Sequence, residues 1–152
     1  MEQFFVGFET LAKLYGSLAE ANMFFYRNHE DVDNFRNLIE QRAMVIEDTE
    51  VIFSELKSKF FDKFGEENIT HANLIDFIYA VVEKIPETAD YAKQVTDSLR
   101  ELVETNKLVE KKVGSFQEKL KTEVGKVRQT SKSLTGYRQL ETYGSCFINK
   151  IK

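Results

Sequence analysis

The chain of 152 residues has the length of one domain, and its 30% charged and 42% hydrophobic residues are typical of a globular protein rather than a disordered one. One proline and seven glycines are too few turn-forming residues for a sandwich or barrel of many short strands. The single cysteine, Cys146, excludes an intrachain disulfide framework and suits a reducing cytoplasm.

The charge is unevenly distributed along the sequence. From Asn106 onward, eleven lysines and arginines oppose four glutamates, a net charge of +7; because the whole chain carries −4, the first 105 residues carry −11. The basic C-terminal part either guides an electrostatic contact or is simply a lysine-rich helix end that suits its own dipole. The acidic first part opposes nucleic-acid binding, which requires a broad basic surface.

The N-terminal segment predicts neither a leader peptide nor a membrane anchor. It lacks a basic start, and Glu9 and Lys13 interrupt any apolar run. No stretch approaches the roughly 18 apolar residues of a membrane span. We therefore expect a cytoplasmic protein without membrane insertion.

The first predicted helix runs from about Glu2 to Arg27. Its apolar face recurs at alternating steps of four and three residues, through Phe4, Phe8, Leu11, Tyr15, Leu18, Asn22 and then Phe25. The adjacent aromatic residues Phe24, Phe25 and Tyr26 cannot all lie on one stripe of a helix. At least one of them should be exposed or cover a neighbouring chain.

A second helix follows a polar break at residues 28–34 and continues to about Phe64, with Asp31 or Asp33 as its cap. Gly65 fits the left-handed position that ends a helix. The two helices form a predicted hairpin over residues 1–64. The core stripe of the second helix is expected to hold Phe35, Leu38, Val45, Ile52 and Leu56, widened by Ile39, Ile46, Phe53 and Phe60.

A short third helix is predicted over residues 70–85, with Thr70 as its cap. A buried strand over residues 77–82 is the alternative, which polar Asp76 and Glu83 oppose. Pro86 ends this element and is well tolerated in the first turn of the next helix. The apolar residues of the third helix have helical spacing: Leu74, Ile75, Ile78, Val81, Val82 and Ile85.

The strongest pattern predicts a long helix over residues 87–134, followed by a flexible tail over residues 135–152. Eight residues step by four and three as in a heptad seam: Val95, Leu99, Leu102, Asn106, Val109, Val113, Phe116 and Leu120. A helix of this length must pack along the first two helices or against another chain. Asn106 either fixes register or oligomeric state, or is a polar residue tolerated at a wet position.

The part of the long helix after Val113 is predicted to be its least stable part. Gly114 and Gly125 each weaken it by up to about 1 kcal/mol. This part is also basic and amphipathic, because Val124, Val127 and Leu134 continue a slightly shifted apolar face. Such a segment suits refolding against a partner, or it is an ordinary fraying terminus.

These patterns predict a single all-α domain of residues 1–152, an antiparallel helical bundle or coiled coil with a long C-terminal helix. The sequence contains no P-loop, dinucleotide fingerprint or nucleophile elbow. His29 lies in an acidic turn and His71 near a helix start, and both are interpreted as solvent-exposed rather than as metal ligands. We expect no enzyme, metal or cofactor, and a function in binding another protein.

Two segments carry a resemblance to a known family. The C-terminal part of the chain reads GKVRQTSKSLTGY at residues 125–137 and SCFINK at residues 145–150. Residues 32–42 have an acidic start that is followed by Leu-Ile and an arginine. These features resemble flagellar type III export chaperones of the FlgN/FliT class. In that class a long helix ends in a basic polar stretch, followed by a tyrosine and a short tail with a serine and an apolar pair.

The resemblance implies a chaperone that carries a late flagellar export substrate, a hook-associated or filament-cap protein, to the export gate. The helical C-terminal segment of the substrate would bind the amphipathic C-terminal helix, at Phe116, Leu120, Val124, Val127 and Leu134. Tyr137 matches the tyrosine associated with docking at the export-gate protein. The alternative is a structural coiled-coil homodimer or scaffold subunit, which needs only the seam, Asn106 and the exposed aromatic residues.

Overall fold

The structure, a computed structural model, describes residues 1–28 and 32–133 and contains four α-helices and no strand within those ranges. They are α1 (Glu2–Arg27), α2 (Val32–Phe64), α3 (Leu74–Lys84) and α4 (Ala89–Ser133), with short 3-10 helices at Glu67–His71 and Pro86–Thr88. The predicted all-α bundle with a long C-terminal helix is therefore confirmed. Its contacts divide the chain into two compact units, residues 1–110 and residues 111–152, so α4 runs from the first unit into the second.

All four helices contribute to the main core of the first unit. Phe77 of α3 is completely buried at its centre, where its ring lies 6.4 Å from that of Phe8, 5.4 Å from that of Phe53 and 5.8 Å from that of Phe60. Edge-on ring contacts of this kind stabilise a core beyond the burial of their area. The beginning of α4 completes this core with Ala92 and Val95.

A second, smaller cluster contains residues of only three helices. Leu18 and Ala19 of α1 pack with Val45 of α2 and Leu102 of α4. The first unit therefore has four helices around its main core and three around this cluster.

The buried face of α1 is the one that its periodicity predicts. Phe4, Phe8, Leu11, Leu18, Asn22 and Phe25 are buried, and Tyr15 is half-buried. Phe25 lies 5.6 Å from the ring of Phe35, whereas Phe24 and Tyr26 are exposed. The expectation that the aromatic triplet exposes at least one ring is confirmed.

The widened stripe of α2 is only partly confirmed. Phe60 is buried, but Ile39 and Ile46 are exposed, so the prediction that they widen the core is wrong. The 11-residue α3 is about 16 Å long, a third of the length of α2, and its Phe77 contacts the rings of Phe53 and Phe60. It is too short to cover the earlier part of α2 as well.

Two of the predicted helix caps are wrong, and one predicted helix end is confirmed. Asp33 lies inside the first turn of α2 rather than at its cap, and Asp31 lies outside the described residues. Thr70 belongs to a 3-10 helix, and Asn73 caps α3 instead, because its side chain accepts a hydrogen bond from the Asp76 amide. Gly65 has a φ of +69°, which confirms the left-handed end of α2.

Candidate functional site

The heptad seam of α4 changes character along the helix. Val95, Leu102 and Val109 are buried within the first unit. Val113 and Phe116 are only half-buried, and Leu120 is exposed. The spacing of the seam is the same on both sides of Val109, but its burial is not.

Asn106 takes part in a polar cluster inside the first unit. The buried Asn22 amide of α1 donates to Asn106 Oδ1 at 2.7 Å and to Thr105 Oγ1 at 3.1 Å. Asn22 Oδ1 is buried without a hydrogen-bond partner among the described residues. The sequence placed both asparagines on apolar faces but did not pair them. The role of Asn106 in register or oligomeric state remains a prediction.

The candidate binding face lies on the part of α4 that belongs to the second unit. Leu120 and Val127 are separated by seven residues, which places them on the same side of the helix, and they are 51% and 59% exposed. Phe116 and Val124 lie on this side too and are half-buried. Of the predicted binding residues, Leu134 and Tyr137 lie outside the described residues.

The surroundings of this face are basic. Residues 111–133 contain seven lysines and arginines and two glutamates, a net charge of +5. Glu118 pairs with Lys121 at 3.3 Å and Glu123 with Lys126 at 3.2 Å, and all four side chains are well exposed. Exposed pairs of this kind contribute little to stability. This segment is therefore a basic amphipathic helix with an apolar side open to solvent.

Neither glycine of this segment has a packing role that the structure reveals. A Cβ atom added at Gly114 or Gly125 would meet no atom within 4 Å. Each glycine lowers helix stability by up to about 1 kcal/mol relative to alanine, without a compensating close approach.

No group of three or more histidine, cysteine, aspartate or glutamate residues in the described ranges could hold a metal ion. His71 is exposed, and His29 and Cys146 lie outside those ranges. None of the described helices is both long enough and apolar enough to cross a bilayer.

The chain matches no family model, no curated protein and no solved structure.

Proposed function

We propose that this chain is a non-enzymatic, cytoplasmic chaperone of flagellar type III export. In this proposal α4 binds the helical C-terminal segment of a hook-associated or filament-cap protein and brings it to the export gate. The observation that supports it is the open apolar side of a basic helix, with Leu120 and Val127 more than half exposed. An amphipathic helix of this kind is a common recognition element for a second helix.

The resemblance of residues 125–137 and 145–150 to the FlgN/FliT class gives the proposal its substrate class. Tyr137, the proposed contact with the export-gate protein, remains a prediction because it lies outside the described residues. Full burial of a valine or leucine side chain contributes about 1.5–3 kcal/mol. Burial of a few of these side chains against a partner helix would supply most of the hydrophobic free energy of binding.

The test replaces two apolar residues of the face. Val124→Asp/Val127→Asp should weaken binding by roughly 100-fold or more, because a buried aspartate adds a desolvation cost to the lost apolar contact. The measurement is calorimetric titration of the full chain with C-terminal segments of hook-associated and filament-cap proteins encoded in the same genome.

A matched control carries the same charge change on the other side of the helix. Thr122 and Gln129 are exposed and lie about half a turn from Leu120 and Val127. Thr122→Asp/Gln129→Asp should bind like the wild type. If none of the segments binds the wild type, or if the Val124/Val127 variant binds as well as its control, the proposal is wrong.

The alternative function is a coiled-coil homodimer or scaffold subunit. The burial of Val95, Leu102 and Val109 within the chain leaves only Val113, Phe116 and Leu120 of the seam for a second chain. Sedimentation separates the two functions. A stable dimer that buries Val113, Phe116 and Leu120 between its chains favours the scaffold, and a monomer cleaved by protease after Val113 favours the chaperone.

A further inference from the structure

One side of α2 remains uncovered in the first unit. Val32, Ile39 and Ile46 precede Phe53 at steps of seven residues, so all four lie on one side of the helix. Phe53 packs against Phe77 of α3 at 5.4 Å, whereas Val32, Ile39 and Ile46 are 58%, 50% and 49% exposed. We call the three exposed residues the α2 face.

The α2 face is open because α3 is short. Among the described residues, α3 contacts the part of α2 that contains Phe53 and Phe60, and the side chains at the preceding seven-residue steps have no such cover. From Val32 to Ile46 this open strip is about 21 Å long. It therefore has room for about four turns of another helix.

The α2 face and the basic segment of α4 have opposite charge. Residues 32–56 contain six acidic residues and two arginines, a net charge of −4. Glu50 follows Ile46 by one turn, Glu40 and Glu47 border the face, and all three are exposed. Arg36 and the half-buried Arg42 lie beside the face too, so these five side chains carry a net charge of −1. Residues 111–133 carry +5, and their apolar side chains from Val113 to Val127 span about 21 Å, which equals the length of the α2 face.

We propose that the α2 face binds residues 111–133 of a second copy of this chain, as a helix placed beside α2 beyond the reach of α3. Each copy offers one acidic apolar face and one basic apolar face, so the contact joins two different surfaces. Contacts of this type extend from copy to copy unless the rotation closes a ring. The inference stands apart from the proposed function, because it needs only the two faces of this chain.

The first measurement is sedimentation of the full chain at roughly 0.1 mM, above the micromolar range expected for a small charged interface. The wild type should associate reversibly, and its dissociation constant should rise by about tenfold between low and high salt because screening weakens the charge attraction. A wild type that stays monomeric at low salt overturns the inference.

Two double variants separate the faces. Ile39→Asp/Ile46→Asp removes the α2 face, and Leu120→Asp/Val127→Asp removes its partner, so each variant alone should be monomeric. Met44→Asp/Val51→Asp makes the same change at exposed apolar residues on another side of α2 and should associate like the wild type. Thr122→Asp/Gln129→Asp is the corresponding control on α4.

The decisive result comes from mixing the two monomeric variants. Each retains the face that the other lacks, so the mixture should form a 1:1 complex that cannot extend further. A dimer built on two copies of the α4 seam would not be restored in this way, and a mixture that stays monomeric overturns the inference.

If the Ile39/Ile46 aspartate variant loses helical circular dichroism, Ile39→Gln/Ile46→Gln takes its place. Loss of substrate binding would not affect this result, so the two proposals fail separately.

Discussion

Gly7 lies where α1 meets Leu56 of α2. A Cβ atom at this position would lie 2.6 Å and 2.8 Å from the two Cδ atoms of Leu56, whose side chain is buried and has little room to move. Overpacking of this kind costs about 1–3 kcal/mol, which exceeds the gain of up to about 1 kcal/mol from replacing a helical glycine.

We therefore expect Gly7→Ala to lower the free energy of unfolding by up to about 2 kcal/mol, measured by urea denaturation. Gly16→Ala is the control on the same helix, because a Cβ atom there would meet only Ser98 Oγ at 4.0 Å. It should be neutral or stabilise the protein by up to about 1 kcal/mol. Equal effects of the two substitutions would contradict this account of Gly7.

The buried amide of Asn22 allows a second test at a single position. Asn22→Leu leaves Asn106 Oδ1 without its donor, and such a loss costs about 1–3 kcal/mol. Thr105 keeps its own bond to the Leu102 carbonyl. The double variant Asn22→Leu/Asn106→Leu removes both partners, so it should be more stable than Asn22→Leu alone.

The coupling energy of this pair, from urea unfolding of the two single variants and the double variant, should exceed about 1 kcal/mol. Strictly additive effects would show that the hydrogen bond contributes nothing specific. The sequence left two roles open for Asn106: it fixes register or oligomeric state, or it is a polar residue tolerated at a wet position. If Asn106 fixes register, the double variant should also show a less dispersed amide NMR spectrum than the wild type, although it is more stable than Asn22→Leu.

At the scale of elements, the start of α3 depends on one side chain. Asn73 Oδ1 accepts from the Asp76 amide at 2.9 Å, and its Nδ2 donates to the Asp76 carboxylate at 2.7 Å. Asn73→Ala should lower the free energy of unfolding by about 1 kcal/mol, the usual cost of a lost N-cap. The Thr70 hydroxyl donates to the Glu67 carbonyl in the preceding turn and does not cap α3, so Thr70→Ala should cost less. Urea unfolding measures both, and the reverse order would restore Thr70 as the cap.

Periodicity predicted the helices and their apolar sides better than it predicted which other helices pack against them. It identified the large side chains of the buried face of α1, from Phe4 to Phe25, although not the small buried residues Gly7, Ala12 and Ala19. It was wrong at Ile39 and Ile46, because spacing tells which side of a helix is apolar and not how far the adjacent helix extends. The predicted cap of α3 was wrong because Thr70 and Asn73 are both residue types that cap helices. Thr70 lies within a 3-10 helix that precedes α3.

The sequence predicted which residues form the candidate site, but it did not predict how exposed they are. Leu120, Val124 and Val127 could be chosen from the sequence because they continue an apolar side of a basic helix. The heptad spacing runs unbroken past Val109, so no local signal marks the position where burial ends. That position depends on how far α1 and α2 extend, which a pattern within α4 does not contain.

At the scale of the whole molecule, α4 is one helix with two different sources of stability. Residues 89–110 are held by the core of the first unit, through Val95, Leu102 and Val109. Most of the stability of a helix in a protein comes from the packing of its apolar face rather than from helix propensity. Residues 114–133 contain two glycines, and their apolar side chains Leu120 and Val127 are exposed. We therefore expect amide hydrogen exchange in dilute protein at high salt to be slow in the first part and fast in the second.

Alanine at both glycines tests the cause of this difference. Gly114→Ala/Gly125→Ala meets no atom within 4 Å, so it should slow exchange in residues 115–133 by roughly tenfold through helix propensity alone. Exchange around Val95 and Leu102 should stay unchanged, because packing determines it there. If residues 115–133 of the wild-type monomer were protected as strongly as residues 95–109, a buried partner surface within the chain would hold them. The open apolar side of α4, on which both proposals depend, would then not exist in solution.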